Sequence, residues 1–192
     1  IVGGAGGNKG AGRMIEFATQ DDFAVDPHAY KGRWGYFEAA RDYILGIPGM
    51  ENWRPEDVLE IGPYKVPLVR GCDTMDVEPW LDALTHRHDA GKVPWPVEDG
   101  RYRLMVALQV WEHLRGRQRE AWREVERVAD WAVISLPYRW PKPPDHARIE
   151  ERTICEWTQR RTTKAKLVKS SVSQLRRIVC LYDLRSKPQA KP

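Results

Sequence analysis

Two short apolar runs limit what this chain can fold into more than anything else in it. They are Val58-Leu59-Glu60-Ile61-Gly62-Pro63 and Leu104-Met105-Val106-Ala107-Leu108-Gln109-Val110-Trp111-Glu112-His113-Leu114. Each begins as an uninterrupted apolar stretch of strand length, the pattern of a strand covered on both faces. Each then passes into a turn or loop with glycine or polar residues. An open α/β sheet places its ligand-binding groups there, at the carboxyl ends of its strands.

The rest of the chain supplies partners for such a sheet. Phe37, Ala40, Tyr43 and Ile44 recur at helical spacing, which predicts a helix over 36–44 ended by Pro48 and Gly49. Strands are expected at 57–61, 73–77, 86–89 and 103–109. Ala121, Trp122, Val125 and Val128 define a helix over 117–128 with its charges on the opposite face. A strand over 131–136 is expected to stop at Pro137, followed by a proline-rich loop and a helix near 149–159. The segments 164–169 and 177–184 read as an antiparallel hairpin about a Ser170-Ser171 turn. Strands alternating with helices give an α/β fold, a mostly parallel twisted sheet with helices on both faces and a closing antiparallel hairpin.

With 192 residues the chain suits one domain. Residues 1–20, rich in glycine at the start and lacking hydrophobic periodicity, are expected to be a flexible segment ahead of a single domain at 21–192. The opening Ile1-Val2-Gly3-Gly4 matches the mature start of trypsin-like proteases, but no Gly-Asp-Ser-Gly segment follows. The chain opens on Ile1 and not Met, so a trimmed or fragmentary start is expected. No apolar run approaches the roughly 20 residues of a membrane span, and no secretory h-region is present, so the expected location is cytoplasmic. Cys72, Cys155 and Cys180 suit neither a disulfide framework nor a zinc site, and no metal is expected. The formal charge is +4, with basic residues gathered between Arg160 and Arg177. That stretch suits either a phosphate backbone or a solvated face. The nine tryptophans are expected mostly in the core or in pocket walls.

From about residue 28 onward the chain resembles the class I S-adenosylmethionine-dependent methyltransferases, closest to the methyltransferase-11 group. Val58–Pro63 is similar to the family's first-strand motif, with Glu60 at its acidic position and Gly62 and Pro63 in the turn under the cofactor. Asp76 matches the acidic end of the second strand, whose carboxylate receives the ribose hydroxyls. Asp89-Ala90 with Pro94-Trp95 resembles the segment whose aspartate meets the adenine amine, with Trp95 over the ring. The run from Leu108 through Gln109 to Leu114 resembles the fourth-strand motif, where the methyl group sits, and 134–138 the end of the fifth strand. The resemblance implies a Rossmann-like methyltransferase fold and S-adenosylmethionine as cofactor. The chain departs from the family at Tyr64-Lys65, where a glycine is usual, and in the short stretch between Glu60 and Asp76, where a helix must be very short or replaced by loop.

Methyl transfer to a hydroxyl needs a positioned acceptor and a base. His113 and His146 are the candidates, with Glu112 orienting His113 or sharing its role. The plainer readings are a packed helix-start histidine and an ordinary loop histidine. Arg33 either reaches the cofactor's carboxylate or belongs, with Trp34, to an aromatic anchor. The expected acceptor is a small molecule or a glycan. One alternative is a methyltransferase-like partner protein without cofactor binding. Another is an RNA methyltransferase using the basic stretch. The Asn/Asp-Pro-Pro-Tyr motif of base N-methylation is absent after the fourth strand.

Overall fold

The computed structural model of the chain describes residues 14–82, 84–141, 148–159 and 162–185. Seven strands form one sheet: β1 (Val58–Ile61), β2 (Asp73–Asp76), β3 (His86–Arg87), β4 (Tyr102–Leu108), β5 (Ala129–Tyr138), β6 (Lys164–Lys169) and β7 (Arg176–Asp183), in the order β3-β2-β1-β4-β5-β7-β6. The first five are parallel, and β7 runs antiparallel to both β5 and β6. The α/β sheet with its closing hairpin is therefore present as expected.

The period of two along each central strand sends alternate side chains to two separate hydrophobic layers. Leu59, Met105, Ala107, Ala132, Ile134 and Cys180 face one layer, with Trp122 and Val125 of helix α2 (Gln118–Val128) and Ile154 of helix α3 (Glu151–Thr158). Val58, Leu104, Val106, Val133, Val179 and Leu181 face the other, against Phe37, Ala40 and Ile44 of helix α1 (Trp34–Leu45). Helices thus cover both faces. They are unequally shared, however, because β1, β2, β3 and β4 are joined by loops without any α-helix.

Two boundaries differ from the sequence reading. β5 does not stop at Pro137 but continues through it to Tyr138, pairing with Arg177 and Arg176. The Ser135 carbonyl accepts from Gln109 N on the β4 side, so strand alternation turns the Pro137 nitrogen to that side as well, beyond the last β4 pair at Leu108. A missing N–H costs nothing where no strand is left to receive it. The second concerns residues 17 and 18, which fall within the segment expected to be flexible. Phe17 bridges to Val69, and Ala18 N–H donates to Leu68 O at 2.9 Å, tying this stretch to the loop after β1. Residues 1–13 lie outside the described residues.

Five of the nine tryptophans (Trp53, Trp95, Trp111, Trp122 and Trp131) are buried. The described helices include none long and apolar enough to cross a membrane.

Candidate functional site

Strand order reverses between β1 and β4, and a cleft of about 460 Å³ opens at the carboxyl ends of the strands there. Such a switch point leaves a crevice because the chains leaving its two strands diverge to opposite sides. Gly62, Asp76, Asp89, Gln109, Arg33 and His113 all line it, although the sequence scatters them over about eighty residues.

Gly62 leaves β1 at φ +63°, and a Cβ there would lie 2.6 Å from Val110 Cγ2. Only glycine allows the β1 and β4 loops to approach this closely at the floor of the cleft. The next departure from right-handed backbone is Tyr64 at φ +56°, a conformation costing about 1–2 kcal/mol for a side-chain-bearing residue. Its hydroxyl donates to Asp26 Oδ2 at 2.9 Å, and Lys65 Nζ pairs with the same oxygen at 2.9 Å. Bonds from Lys65, Ala29 and Tyr64 pull the Asp26 carboxyl down to about 2. Lys65 is thereby held to Asp26 and does not line the cleft.

Three of the expected cofactor residues, Glu60, Pro63 and Trp95, are not among those lining the cleft. Glu60 is buried beneath the loop, its Oε2 accepting from Leu68 N at 2.7 Å and Val69 N at 3.4 Å. Burial pushes its carboxyl up to about 8 against the opposing pull of those two N–H groups. It braces the loop and does not face the cleft. Pro63 is buried too, its carbonyl accepting from the Tyr30 hydroxyl. Trp95 points into the α2 layer, with its indole N–H donating to Ala90 O at 2.9 Å and its backbone N–H to Glu124 at 2.7 Å. It therefore covers no ligand ring.

Asp76 is half-buried, and burial raises its carboxyl. One oxygen accepts from Glu78 N, and among the described residues no cation pairs with it. That leaves acceptor capacity for a pair of hydroxyls. Asp89 is more committed: Gly91 N donates to one oxygen at 2.8 Å and Arg117 Nη1 to the other at 3.2 Å. An exocyclic amine would have to share this carboxylate with Arg117.

On the β4 side Gln109 stands at φ +62° with its amide fixed, Nε2 donating to Ser135 Oγ at 3.1 Å and Oε1 accepting from Arg177 Nε at 3.0 Å. His113 projects into the cleft about half exposed, its Nε2 3.9 Å from Oε1 of the buried Glu112. Arg33 precedes α1 and lines the cleft, its guanidinium 5.6 Å from the Tyr30 centroid. His146 lies outside the described residues.

Sequence reasoning missed Trp80. The sequence reading puts the tryptophans in the core or in pocket walls without singling this one out as a site residue; it is half exposed on the cleft wall, its ring 4.9 Å from that of Tyr64. Its place four residues beyond β2, after Glu78 and Pro79, was the available signal. Among the described residues no group of three or more His, Cys, Asp or Glu is placed to hold a metal ion.

No protein-family model matches the chain, and no curated protein matches its sequence. Solved structures do match. A S-adenosylmethionine-dependent methyltransferase from Aquifex aeolicus superposes with a TM-score of 0.55 at 13% identity, over 86% of this chain and 99% of its own. The CMeT domain of the citrinin polyketide synthase gives 0.56 at 10% identity, over 88% of this chain and 58% of that one. The chain has the methyltransferase fold. A Sulfolobus solfataricus protein assigned to the type 11 methyltransferases shares that fold at 0.52 and 11% identity, over 77% of this chain and 94% of its own. Within the methyltransferase fold this chain is lean, its β1–β2, β2–β3 and β3–β4 connections being loops.

Proposed function

We propose that the cleft binds S-adenosylmethionine and that the protein transfers its methyl group to a hydroxyl of a small-molecule or glycan acceptor. The observation that carries this reading is Asp76: a half-buried carboxylate without a cation partner among the described residues, at the end of β2, in the same cleft as Gly62 and Asp89. Ribose hydroxyls suit it, and a cleft of about 460 Å³ lies within the ordinary size of small-ligand sites. The methyltransferase fold supports the same cofactor by analogy.

When bound, the cofactor supplies a methyl group on a sulfonium for in-line displacement. The chain's own residues do the rest. Gly62 keeps the cleft floor open, Asp76 anchors the ribose, and the Tyr64–Trp80 pair walls the side near β2. Arg33 is placed to meet the carboxylate of the methionine moiety. His113 lines the β4 end of the cleft beside the buried Glu112 and takes the acceptor's proton.

Titration calorimetry with S-adenosylmethionine and S-adenosylhomocysteine tests this. Binding that weakens by about tenfold or more in Asp76→Ala is expected, from loss of a carboxylate bonded to two hydroxyls. Absence of binding at millimolar cofactor overturns the reading and favours the partner-protein alternative. Binding untouched by Asp76→Ala shows that the ribose lies elsewhere.

A further inference from the structure

Arg177 is unexplained by cofactor binding. It stands at the start of β7, paired with Pro137 at the end of β5, and borders the cleft through Gln109 without being one of its lining residues. Its guanidinium lies 4.9 Å from the Tyr36 centroid and 5.0 Å from that of Trp140. Its Nε donates to Gln109 Oε1 at 3.0 Å, and Gln109 lines the cleft. The side chain is thus fixed in place by two rings and one hydrogen bond. Its two terminal NH₂ groups have no hydrogen-bond partner among the described residues.

A guanidinium held in this way is a preorganised fork for a planar oxyanion, since ordering it on binding costs little. Burial, more than repulsion from the nearby Arg33, lowers the Arg177 pKa.

We propose that Arg177 selects an acceptor carrying a carboxylate in addition to the hydroxyl that is methylated, and grips that carboxylate through its two terminal NH₂ groups. The proposal rests on the methyl-transfer reading of the cleft. It narrows the acceptor to hydroxy acids, aromatic or sugar-derived, whose hydroxyl then extends toward His113.

Binding to protein saturated with S-adenosylhomocysteine tests this without requiring turnover. Two isosteric pairs serve as probes: 4-hydroxybenzoate with 4-hydroxybenzamide, and D-glucuronate with D-glucuronamide. In at least one pair the carboxylate is expected to bind about tenfold tighter than its amide, the worth of a bidentate charged contact. The pair that shows it tells an aromatic from a sugar acceptor. Arg177→Gln should abolish the preference and Arg177→Lys should keep only a part of it, with each variant compared at its own S-adenosylhomocysteine saturation. The proposal is overturned if the wild-type protein binds neither carboxylate better than its amide, if no probe binds at about 20 mM, or if the preference survives Arg177→Gln. The wild-type comparison decides even where a variant fails to fold. Should S-adenosylhomocysteine itself not bind, the cofactor reading fails, and the same pairs run on the protein alone still decide whether Arg177 recognises a carboxylate.

Discussion

Glu60 shows how a residue type that suggests a ligand contact can be held for another purpose. Its carboxyl is pushed up from 4.5 to about 8, so the folded protein keeps a proton there that the unfolded chain releases. An acid whose folded value lies above its unfolded one makes stability fall as pH rises through that window, here between about 4.5 and 8, and level off above it. Glu60→Gln retains an acceptor for Leu68 N and has no proton to lose. Its melting temperature, followed by calorimetry from pH 5 to 8.5, should decline less than that of the wild type, and the variant should be the more stable at pH 8. A parallel decline in both would show that Glu60 is already ionised in the fold. Gly62 is the second residue with a single-atom reason for its identity. Gly62→Ala combines φ +63° with a Cβ 2.6 Å from Val110 Cγ2, and should destabilise by about 1–3 kcal/mol in urea titration. It should also weaken cofactor binding, because Val110 can relieve the clash only by moving into the cleft that it lines.

The loop between β1 and β2 takes the place of a helix. With no helical ladder, its backbone groups need side-chain partners, and two buried residues provide them. Glu60 receives Leu68 N and Val69 N; the Tyr30 hydroxyl receives Val66 N at 2.8 Å and Lys65 N at 3.1 Å while donating to Pro63 O. Burial drives that phenol up to about 12, so it stays a neutral hydroxyl. Tyr30→Phe strands two backbone N–H groups and should cost about 2–4 kcal/mol. Amide exchange at Lys65 and Val66 should accelerate more than exchange in β4; equal acceleration at both would mean that the loop opens only with the whole protein. None of this was readable in advance. A loop's partners come from residues distant in sequence, and Tyr30 carries no local sign that its hydroxyl serves residues 63–66. The strands were legible for the opposite reason, since an apolar run states its own burial. Even there β5 ran past Pro137, which depends on where β4 happens to end.

At the scale of the molecule, one sheet divides two hydrophobic layers, and the cleft sits where the strand order reverses between them. Trp122 joins Trp111 and Tyr182 across one layer, with centroids 5.9 and 4.7 Å away. Trp122→Ala should therefore cost about 3–5 kcal/mol, read as a lowered urea midpoint with an unchanged slope. A shallower slope would instead mean that the α2 layer unfolds by itself. Saturation with cofactor should raise stability by about 2.7 kcal/mol at a hundredfold excess over Kd, a shift absent in a protein that has lost the site. The resemblance to the methyltransferases pointed to Gly62, Asp76, Asp89, Gln109 and His113; by itself the sequence determined the α/β class, the parallel core and the closing hairpin. Those follow from local period and from strand ends, which every residue reports through its neighbours in the chain. Tertiary structure alone decided that Glu60 and Trp95 turn away from the cleft, that Trp80 turns toward it, and that Arg177 is stacked and fixed beside Gln109. Orientation and partner choice depend on contacts between segments dozens of residues apart, and no periodicity along the chain encodes them.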